Sequence, residues 1–355
     1  MDNYLIGVYM RIILDVMGGD NPPEEFVKGA YLAVKKYKEK ITLVGDEKII
    51  SDALRDLRAP SAPFDIIDAP DFVSMEDDPM SITGTHAGSS MAVSLRELSS
   101  GGGDAVVSAG NTGALFTGAT LIERRVKGVR RAALALVIPF KNPILLLDCG
   151  ANVSVTPEYL VQFAYLGKIY MERILGVDSP RVALLNNGAE THKGTPTVVE
   201  ANKLLSDDEN INFVGNIEGK DVPFGECDVV VTDGFTGNIF LKTCEGMSNF
   251  MMARLTEKFF GGVSGKISAM LKKNDVSRVA KMFDAKEYGG APFLGLAKPV
   301  IKAHGNSDAR AVCAAIGQAR KYVETNIIDE IASCADIFSK MKFAPISKRE
   351  RTENE

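Results

Sequence analysis

The chain has 355 residues and a mass of 38.3 kDa, with 45% hydrophobic and 25% charged residues. This composition excludes wholesale disorder, a collagen-like repeat and a small disulfide scaffold, and the length predicts two domains or one large two-lobed unit. The 41 basic and 46 acidic side chains give a net charge of −5, which disfavours a nucleic-acid binder. The longest nearly unbroken apolar run, residues 132–140, is far shorter than the roughly 18 residues of a membrane-spanning helix.

The five cysteines and three histidines restrict the chemistry further. An odd number of cysteines without a Cys-x-x-Cys pair indicates reduced thiols in a cytoplasmic protein, and so few histidines do not favour a metal site. We therefore expect neither a metal nor a cofactor. Residues 1–9 lack the basic region and cleavage site of a secretory signal, and we expect 1–9 and 347–355 to be disordered.

Ten short apolar runs predict the strands of an α/β fold. Several are hydrophobic almost without interruption, which is typical of a parallel sheet covered by helices on both faces. The runs are 12–16, 41–44, 64–67, 105–107, 134–138, 144–147, 182–185, 212–214, 229–231 and 300–302. Amphipathic segments between them predict helices, so the expected architecture has three layers around a mostly parallel sheet.

Local signals mark several helix ends. Asn21 precedes two prolines and is predicted to cap the first helix. Thr156 and Thr195 each precede a proline and open further helices, the first of which is expected to end at Gly176. We predict one two-lobed unit over 10–340, in which lobe one takes 10–149 and 299–340 and lobe two takes 150–298, including a helical projection at 238–273.

Six predicted strand ends carry a small polar residue, a glycine and usually an asparagine. They are Asp15–Asn21, Ser108–Gly113, Asp148–Asn152, Asn186–Gly188, Thr232–Asn238 and Lys302–Asp308. In open α/β sheets ligands bind beyond the carboxyl ends of the strands, where glycines allow close approach and helix N-termini attract anions. Turns and helix caps alone explain any single motif, whereas six together predict one anion-binding edge.

The familiar catalytic fingerprints are missing. The sequence has no Gly-x-Ser-x-Gly elbow, no Gly-x-Gly-x-x-Gly and no His-Glu-x-x-His. Residues 261–266 match part of a P-loop, but Ile267 replaces the required hydroxyl and no strand precedes it. The pattern therefore predicts phosphate-type binding without a protein nucleophile, which suits a substrate phosphate that is itself the nucleophile.

Six motifs resemble, in this order, those of the bacterial phosphate acyltransferases of phospholipid synthesis. They lie at 15–21, 108–114, 146–152, 233–238, 287–292 and 301–305, and the resemblance extends from Met10 to about Ile331. It implies a fold related to phosphotransacetylase and isopropylmalate dehydrogenase, and a homodimer without a metal. It also implies transfer of an acyl group from acyl-[acyl-carrier protein] to inorganic phosphate, with an acyl-phosphate product used by a membrane glycerol-3-phosphate acyltransferase.

Several residues receive expected roles from this resemblance together with the strand-end argument. Asn111, Asn152 and Asn238 are candidate donors to phosphate or to the oxyanion. Lys193 matches a family lysine that would neutralise phosphate, and His304 is the candidate general acid or base. A structural or helix-capping histidine is the alternative for His304. The expected phosphate- and substrate-binding residues are Asp15, Gly18, Gly19, Asp20, Ser108, Thr112, Gly113, Asp148, Asn152 and Asp233.

Two stretches depart from the family pattern. Residues 84–88 stand where the family usually has a basic run before Ser-Ser-Met, so any phosphate or carrier contact of that run does not transfer. Residues 189–191 read Ala-Glu-Thr where the family has an acidic triplet.

A basic cluster offers a landing site for an acidic carrier protein. It consists of Arg124, Arg125, Lys127, Arg130 and Arg131, of which Arg125, Lys127 and Arg131 fit the family pattern. Opposite charge accelerates encounter in a salt-sensitive way. A solvated helix end is the alternative.

Residues 238–273 predict a long amphipathic helix that Gly261 and Gly262 break. The family resemblance suggests paired helices that project from the dimer and touch the membrane surface, with a cytoplasmic body. A dimer-interface hairpin fits the pattern equally well. The apolar residues expected at this membrane or dimer contact are Phe259, Phe260, Ile267 and Leu271.

Three other functions compete with the acyl-carrier reaction. A phosphate acetyl- or butyryltransferase would use coenzyme A as the acyl carrier. A metal-dependent dehydrogenase of the same fold would need an Asp cluster and NAD. A noncatalytic scaffold would recruit partners of lipid synthesis to a membrane.

Overall fold

The computed structural model describes residues 10–260 and 289–340, in two compact units. Unit one contains residues 10–132 and 289–336, and unit two contains 133–260 and 337–340. The chain therefore passes from unit one to unit two after residue 132 and has returned to unit one by residue 289. The sequence predicted these two crossings later in the chain, near residues 150 and 298. The physical reason is strand pairing, because the first crossing precedes an antiparallel hairpin of unit two and the return precedes a hairpin of unit one.

The strands of the described part follow the predicted apolar runs. They are β1 Arg11–Asp15, β2 Lys40–Gly45, β3 Phe64–Asp68, β4 Ala105–Ser108, β5 Ala133–Pro139, β6 Pro143–Leu147, β7 Val182–Asn186, β8 Phe213–Glu218, β9 Val229–Val231, β10 Ala291–Leu294 and β11 Val300–Lys302. All ten predicted runs correspond to strands. β10 was not predicted, because it is four residues long, contains Pro292 and lies between glycines.

The described helices alternate with these strands. They are α1 Pro23–Tyr37, α2 Glu47–Asp56, α3 Ser90–Ser99, α4 Thr112–Gly118, α5 Pro157–Tyr170, α6 Pro196–Ser206, α7 Gly234–Phe260, α8 Ala309–Glu324, α9 Ile327–Ser333 and α10 Ala335–Lys340. Wider π turns continue α4 to Glu123 and α5 to Leu175. A 3-10 turn spans Pro79–Thr83, and another spans Val222–Phe224.

Unit one has the strand order β3-β2-β1-β4-β11-β10, parallel except for β10. Ile12 and Leu14 are fully buried in a core that α1, α2 and α8 complete. Ile13 is equally buried on the opposite face, where α3 packs against β1. Helices therefore cover both faces of this sheet, as the apolar runs predicted.

Unit two has the order β5-β6-β9-β7-β8, parallel except for the β5–β6 hairpin. Leu145, Leu146 and Leu147 are fully buried on both faces of β6. The predicted three-layer, mostly parallel α/β fold is thus confirmed.

Three of the four predicted helix ends are observed and one is not. Thr156 stands at the N-cap position of α5, although its side chain makes no capping hydrogen bond. Thr195 caps α6 by accepting a hydrogen bond from the Val198 amide, and Gly176 ends the α5 segment in the left-handed region at φ 69°. Asn21 does not cap α1, because its amide donates to the Ser307 carbonyl at 2.9 Å and Pro22 occupies the cap position.

The predicted long helix is α7, which begins at Gly234 instead of 238. The side chains of Phe259 and Phe260, the break at 261–262, and Ile267 and Leu271 lie outside the described part of the chain. None of the helices in the described ranges is both long and apolar enough to cross a bilayer.

Candidate active site

The six glycine-rich strand ends form two sets of three. In unit one, β1, β4 and β11 are parallel neighbours, and the register pairs Lys302 with Ser108. In unit two, β6, β9 and β7 are parallel neighbours. Each unit therefore brings three of the motifs together at one sheet edge.

A buried carboxylate organises the edge in unit one. Asp15 is completely buried, and its two oxygens accept 2.6 Å hydrogen bonds from the hydroxyls of Ser90 and Ser108. The Met17 amide adds a third donor at 3.2 Å. Burial raises the pKa of Asp15, while these donors and the charge of Lys302 oppose the rise. Both Asp15 oxygens face serine hydroxyls, so the buried carboxylate stabilises the loops at this edge.

Glycines let two of these loops touch through their backbones. A Cβ on Gly18 would lie 2.8 Å from the Gly110 Cα and equally close to the Asp15 carboxylate. A Cβ on Gly19 would lie 2.2 Å from the Phe26 ring. Both distances are below van der Waals contact, so the loop after β1 needs glycine at these two positions for packing.

Asn111 holds the turn after β4. Its side-chain oxygen caps α4 by accepting from the Ala114 amide at 3.1 Å, and its side-chain nitrogen donates to the carbonyls of Ser74 and Met75 at 3.0 and 3.3 Å. The side chain is 8% exposed. Thr112 and Gly113, the first residues of α4, are partly exposed at this turn. The predicted ligand donor is thus engaged in positioning two segments.

Lys302 and His304 follow β11. The Lys302 ammonium donates to the carbonyls of Ala109 and Ala303, the first at 3.0 Å, and so braces the turn after β4. His304 is exposed, and its Nδ1 accepts from the Asn306 amide at 3.3 Å. Asp20 is also exposed, and its amide donates to the Gly305 carbonyl.

The sequence interpretation missed Lys302 and Ser90 as members of this edge. Lys302 had a usable signal, since it is the last residue of a strand within one of the six motifs. Ser90 had no such signal, because it lies on α3 and meets Asp15 from 75 residues away.

A second buried carboxylate, Asp148, organises the edge in unit two. One of its oxygens accepts from the amides of Leu134, Gly150 and Ala151, and the other accepts from both nitrogens of Asn152, at 2.6–3.2 Å. Burial raises the pKa of Asp148, and the donors oppose the rise. Asp148 and Asn152 therefore shape the loop from inside.

The start of α7 lies directly against that loop. Asp233 accepts from the amide and hydroxyl of Thr236 at 2.8 Å, and Gly234 donates to the Asn152 carbonyl at 2.7 Å. A Cβ on Gly237 would fall 2.0 Å from the Asp148 carbonyl, so only glycine fits there. Asn238 is exposed in the first turn of α7, close to Gly150.

Lys193 lies on a well-held loop after β7. Asn186 donates to the Lys193 carbonyl at 2.9 Å, and Asn216 donates to the Glu190 carbonyl at 2.9 Å. The Lys193 side chain itself is exposed and packs beside Gly188. Its ammonium is therefore presented to solvent on a fixed backbone.

The basic cluster follows the π turn after α4. All five of its basic residues are exposed, and the Arg125 guanidinium donates to the Arg130 carbonyl. Arg124 has φ 74°, and its carbonyl accepts from the Ala297 amide at 3.1 Å. Just before the cluster, burial raises the pKa of Glu123 to about 7.

Within residues 10–260 and 289–340, no group of three or more His, Cys, Asp and Glu side chains has the arrangement of a metal site. The thiol beside the unit-two edge is equally unsuited to chemistry. Cys149 is buried, its sulfur donates to the Leu134 carbonyl, and burial raises its pKa well above the ordinary value.

Solved structures define the fold class. The chain resembles a phosphotransacetylase from Streptococcus pyogenes with a TM-score of 0.58 and 17% identity, over 90% of this chain and 95% of that one. The chain also resembles a branched-chain phosphotransacylase from Enterococcus faecalis, with a TM-score of 0.55 and 14% identity over 89% of this chain and 100% of that one. A third similar structure is a 4-hydroxythreonine-4-phosphate dehydrogenase from Klebsiella pneumoniae, with a TM-score of 0.53 and 12% identity over 88% of this chain and 99% of that one. The protein has the phosphotransacetylase-type α/β fold.

Sequence comparison identifies the family within that class. The family described as "Fatty acid synthesis protein" matches residues 10–330. The phosphate acyltransferase of Clostridium novyi (strain NT) is 43% identical over 91% of this chain and 98% of its own length, and that of Thermoanaerobacter pseudethanolicus is 41% identical over 91% and 96%. The chain belongs to the phosphate acyltransferase family and is an acyltransferase, which confirms the resemblance seen in its motifs.

Proposed function

We propose that the protein forms acyl phosphate from acyl-[acyl-carrier protein] and inorganic phosphate. A phosphate oxygen attacks the thioester carbonyl carbon, the C–S bond breaks, and the carrier leaves as a thiol after its sulfur takes a proton. One observation favours direct attack: Ser108 and Cys149, a hydroxyl and a thiol at these two edges, are each buried and hydrogen-bonded. We therefore assign the role of nucleophile to phosphate.

The residues divide by exposure into supports and substrate contacts. Asp15, Ser108 and Asp148 are fully buried, so we assign them to positioning the loops. Thr112 and Gly113 are partly exposed, and we place phosphate at this turn.

Three exposed side chains receive the contact roles. We assign phosphate neutralisation to Lys193, an oxyanion donor to Asn238 and proton transfer to the leaving thiolate to His304. Replacing Lys193 with Ala should reduce kcat/KM for phosphate at least tenfold, whereas the matched variant Lys203→Ala, an exposed lysine on α6, should stay within twofold.

The basic cluster supports an acidic carrier as the acyl donor. Exposed arginines and a lysine on one short segment attract an acidic protein over several ångströms, and salt screens that attraction. Charge reversal at Lys127 should raise KM for the carrier-bound donor and leave KM for phosphate unchanged. Loss of folded enzyme would instead lower the apparent kcat and leave both KM values unchanged.

The deciding experiment supplies phosphate with palmitoyl-[acyl-carrier protein] or with acetyl- and butyryl-coenzyme A. We expect acyl phosphate and free carrier thiol only with the carrier-bound donor. Turnover of the coenzyme A donors alone would replace our proposal with the coenzyme A reaction. An NAD-dependent absorbance change would instead indicate a dehydrogenase, and membrane binding without any turnover would indicate a scaffold.

We also propose a homodimer that uses α7. Its described part exposes Phe235, Ile239, Met247, Phe250 and Met251, which recur along one broad side of the helix. A second copy would cover these side chains, and peripheral contact with a membrane would bring the product to a glycerol-3-phosphate acyltransferase. Sedimentation of Phe250→Ser should show dissociation, and vesicle flotation should test the membrane contact separately.

A further inference from the structure

The exposed apolar side chains of unit one are concentrated beside the turn after β4. Among its described residues, the large hydrophobic side chains that stand exposed are Phe72, Met75, Met80 and Leu121, at 49%, 53%, 57% and 54%. The first three lie on residues 71–83, which we name the flanking segment. The fourth lies on the π turn that continues α4.

The flanking segment is fixed to α4 and the turn before it by four contacts. Asn111 donates to the carbonyls of Ser74 and Met75. A Cβ on Gly113 would lie 2.8 Å from the Pro79 ring, and a Cβ on Gly118 would lie 2.6 Å from the Ile82 side chain. The flanking segment therefore borders the residues at which the proposed function places phosphate.

We infer that the flanking segment and the π turn after α4 bind the acyl chain of the donor. This inference rests on the proposed function, because the thioester carbonyl must meet phosphate at this turn and the chain must leave from there. Methionine side chains are flexible and polarizable, and adapt to alkyl chains of different length. Each methylene that they cover raises affinity by up to about fourfold.

Charge on the flanking segment argues against the other occupants. It carries Asp71, Glu76, Asp77 and Asp78 and no lysine or arginine. These carboxylates would repel an anionic lipid surface or an acidic protein lying on the segment itself. The proposed function places the acidic carrier on the basic cluster instead, so only its acyl chain would reach the segment. A second copy related by a two-fold axis would bring these carboxylates against their own counterparts. An uncharged alkyl chain meets no such repulsion.

The test compares chain lengths. We expect Met75→Ser combined with Met80→Ser to lower kcat/KM at least tenfold for a palmitoyl donor and less than twofold for a butyryl donor on the same carrier. The matched control, Leu204→Ser with Val214→Ser, removes exposed apolar side chains from unit two and should change neither value. Equal losses for both donors, or no loss for either, would overturn the inference.

A second measurement does not depend on turnover by the variants. A palmitoyl donor with a photoreactive diazirine near its methyl end should label residues 71–83 or 112–123, as located by mass spectrometry. Labelling only elsewhere, or a change of oligomeric state in the double methionine variant, would contradict the assignment. Absence of acyl phosphate from any donor with the wild-type enzyme would refute the proposed function instead, so the two failures are distinguishable.

Discussion

Replacing Glu123 with Gln should stabilise the protein more at pH 8 than at pH 5. Glu123 is 6% exposed, and its Oε2 has no hydrogen-bond partner among the described residues. Burial raises its pKa from 4.5 to about 7, and the charge of Lys298 only partly opposes this. The folded protein thus holds a proton that the unfolded chain releases, and stability falls as the pH rises through this window.

The magnitude follows from linkage. Below pH 4.5 both states bind the proton and the effect vanishes, whereas above pH 7 the ionised carboxylate destabilises the fold by about 3 kcal/mol. At pH 5 the penalty is about 1 kcal/mol. The glutamine has no charge, so its advantage should be roughly 2 kcal/mol larger at pH 8 than at pH 5.

Calorimetry at the two pH values measures this difference. The glutamine should raise the unfolding midpoint of unit one by roughly 4–8 °C more at pH 8 than at pH 5. Hydrogen exchange of α4 assigns the transition. The control is Glu209→Gln, an exposed residue in the loop before β8, which should shift the midpoint equally at both pH values. If Glu123→Gln also shifts it equally at both, the reasoning about a buried proton is wrong.

Three further outcomes follow from the packing and hydrogen bonds. Asp15→Ala leaves two buried serine hydroxyls without their acceptor, so urea denaturation should show a loss of about 2–4 kcal/mol, and Asp15→Asn should lose less. Gly237→Ala should cost about 1–3 kcal/mol because its Cβ meets the Asp148 carbonyl, whereas Gly246→Ala, with open space on the same helix, should be neutral or gain up to about 1 kcal/mol. Asn111→Ala should cost about 1 kcal/mol of stability because α4 loses its cap. Release of the flanking segment should appear as faster hydrogen exchange across residues 71–83, and unchanged exchange would contradict that link.

Much of the local structure could be read from the residues alone. The apolar runs marked ten strands because a strand buried on both faces needs continuous hydrophobicity, and β1 with its buried Ile12, Ile13 and Leu14 shows that requirement directly. The helix ends at Thr195 and Gly176 could be predicted because helix capping depends on atoms of neighbouring residues. β10 was not, since its strand status depends on pairing with β11 and not on its own composition.

Tertiary structure decided how the motifs assemble. Chain order does not reveal which strands are neighbours, so only strand order could divide the six strand ends into two sets of three. The role of Asn111 likewise depends on carbonyls 36 and 37 residues away, and Asp15 meets Ser90 across 75 residues. Sequence by itself determined where the glycine- and asparagine-rich turns follow the strands, because glycine, asparagine and helix caps act locally. Which of their residues are exposed and which are buried supports was decided by packing, since a hydrogen bond between distant segments exists only once the chain has folded.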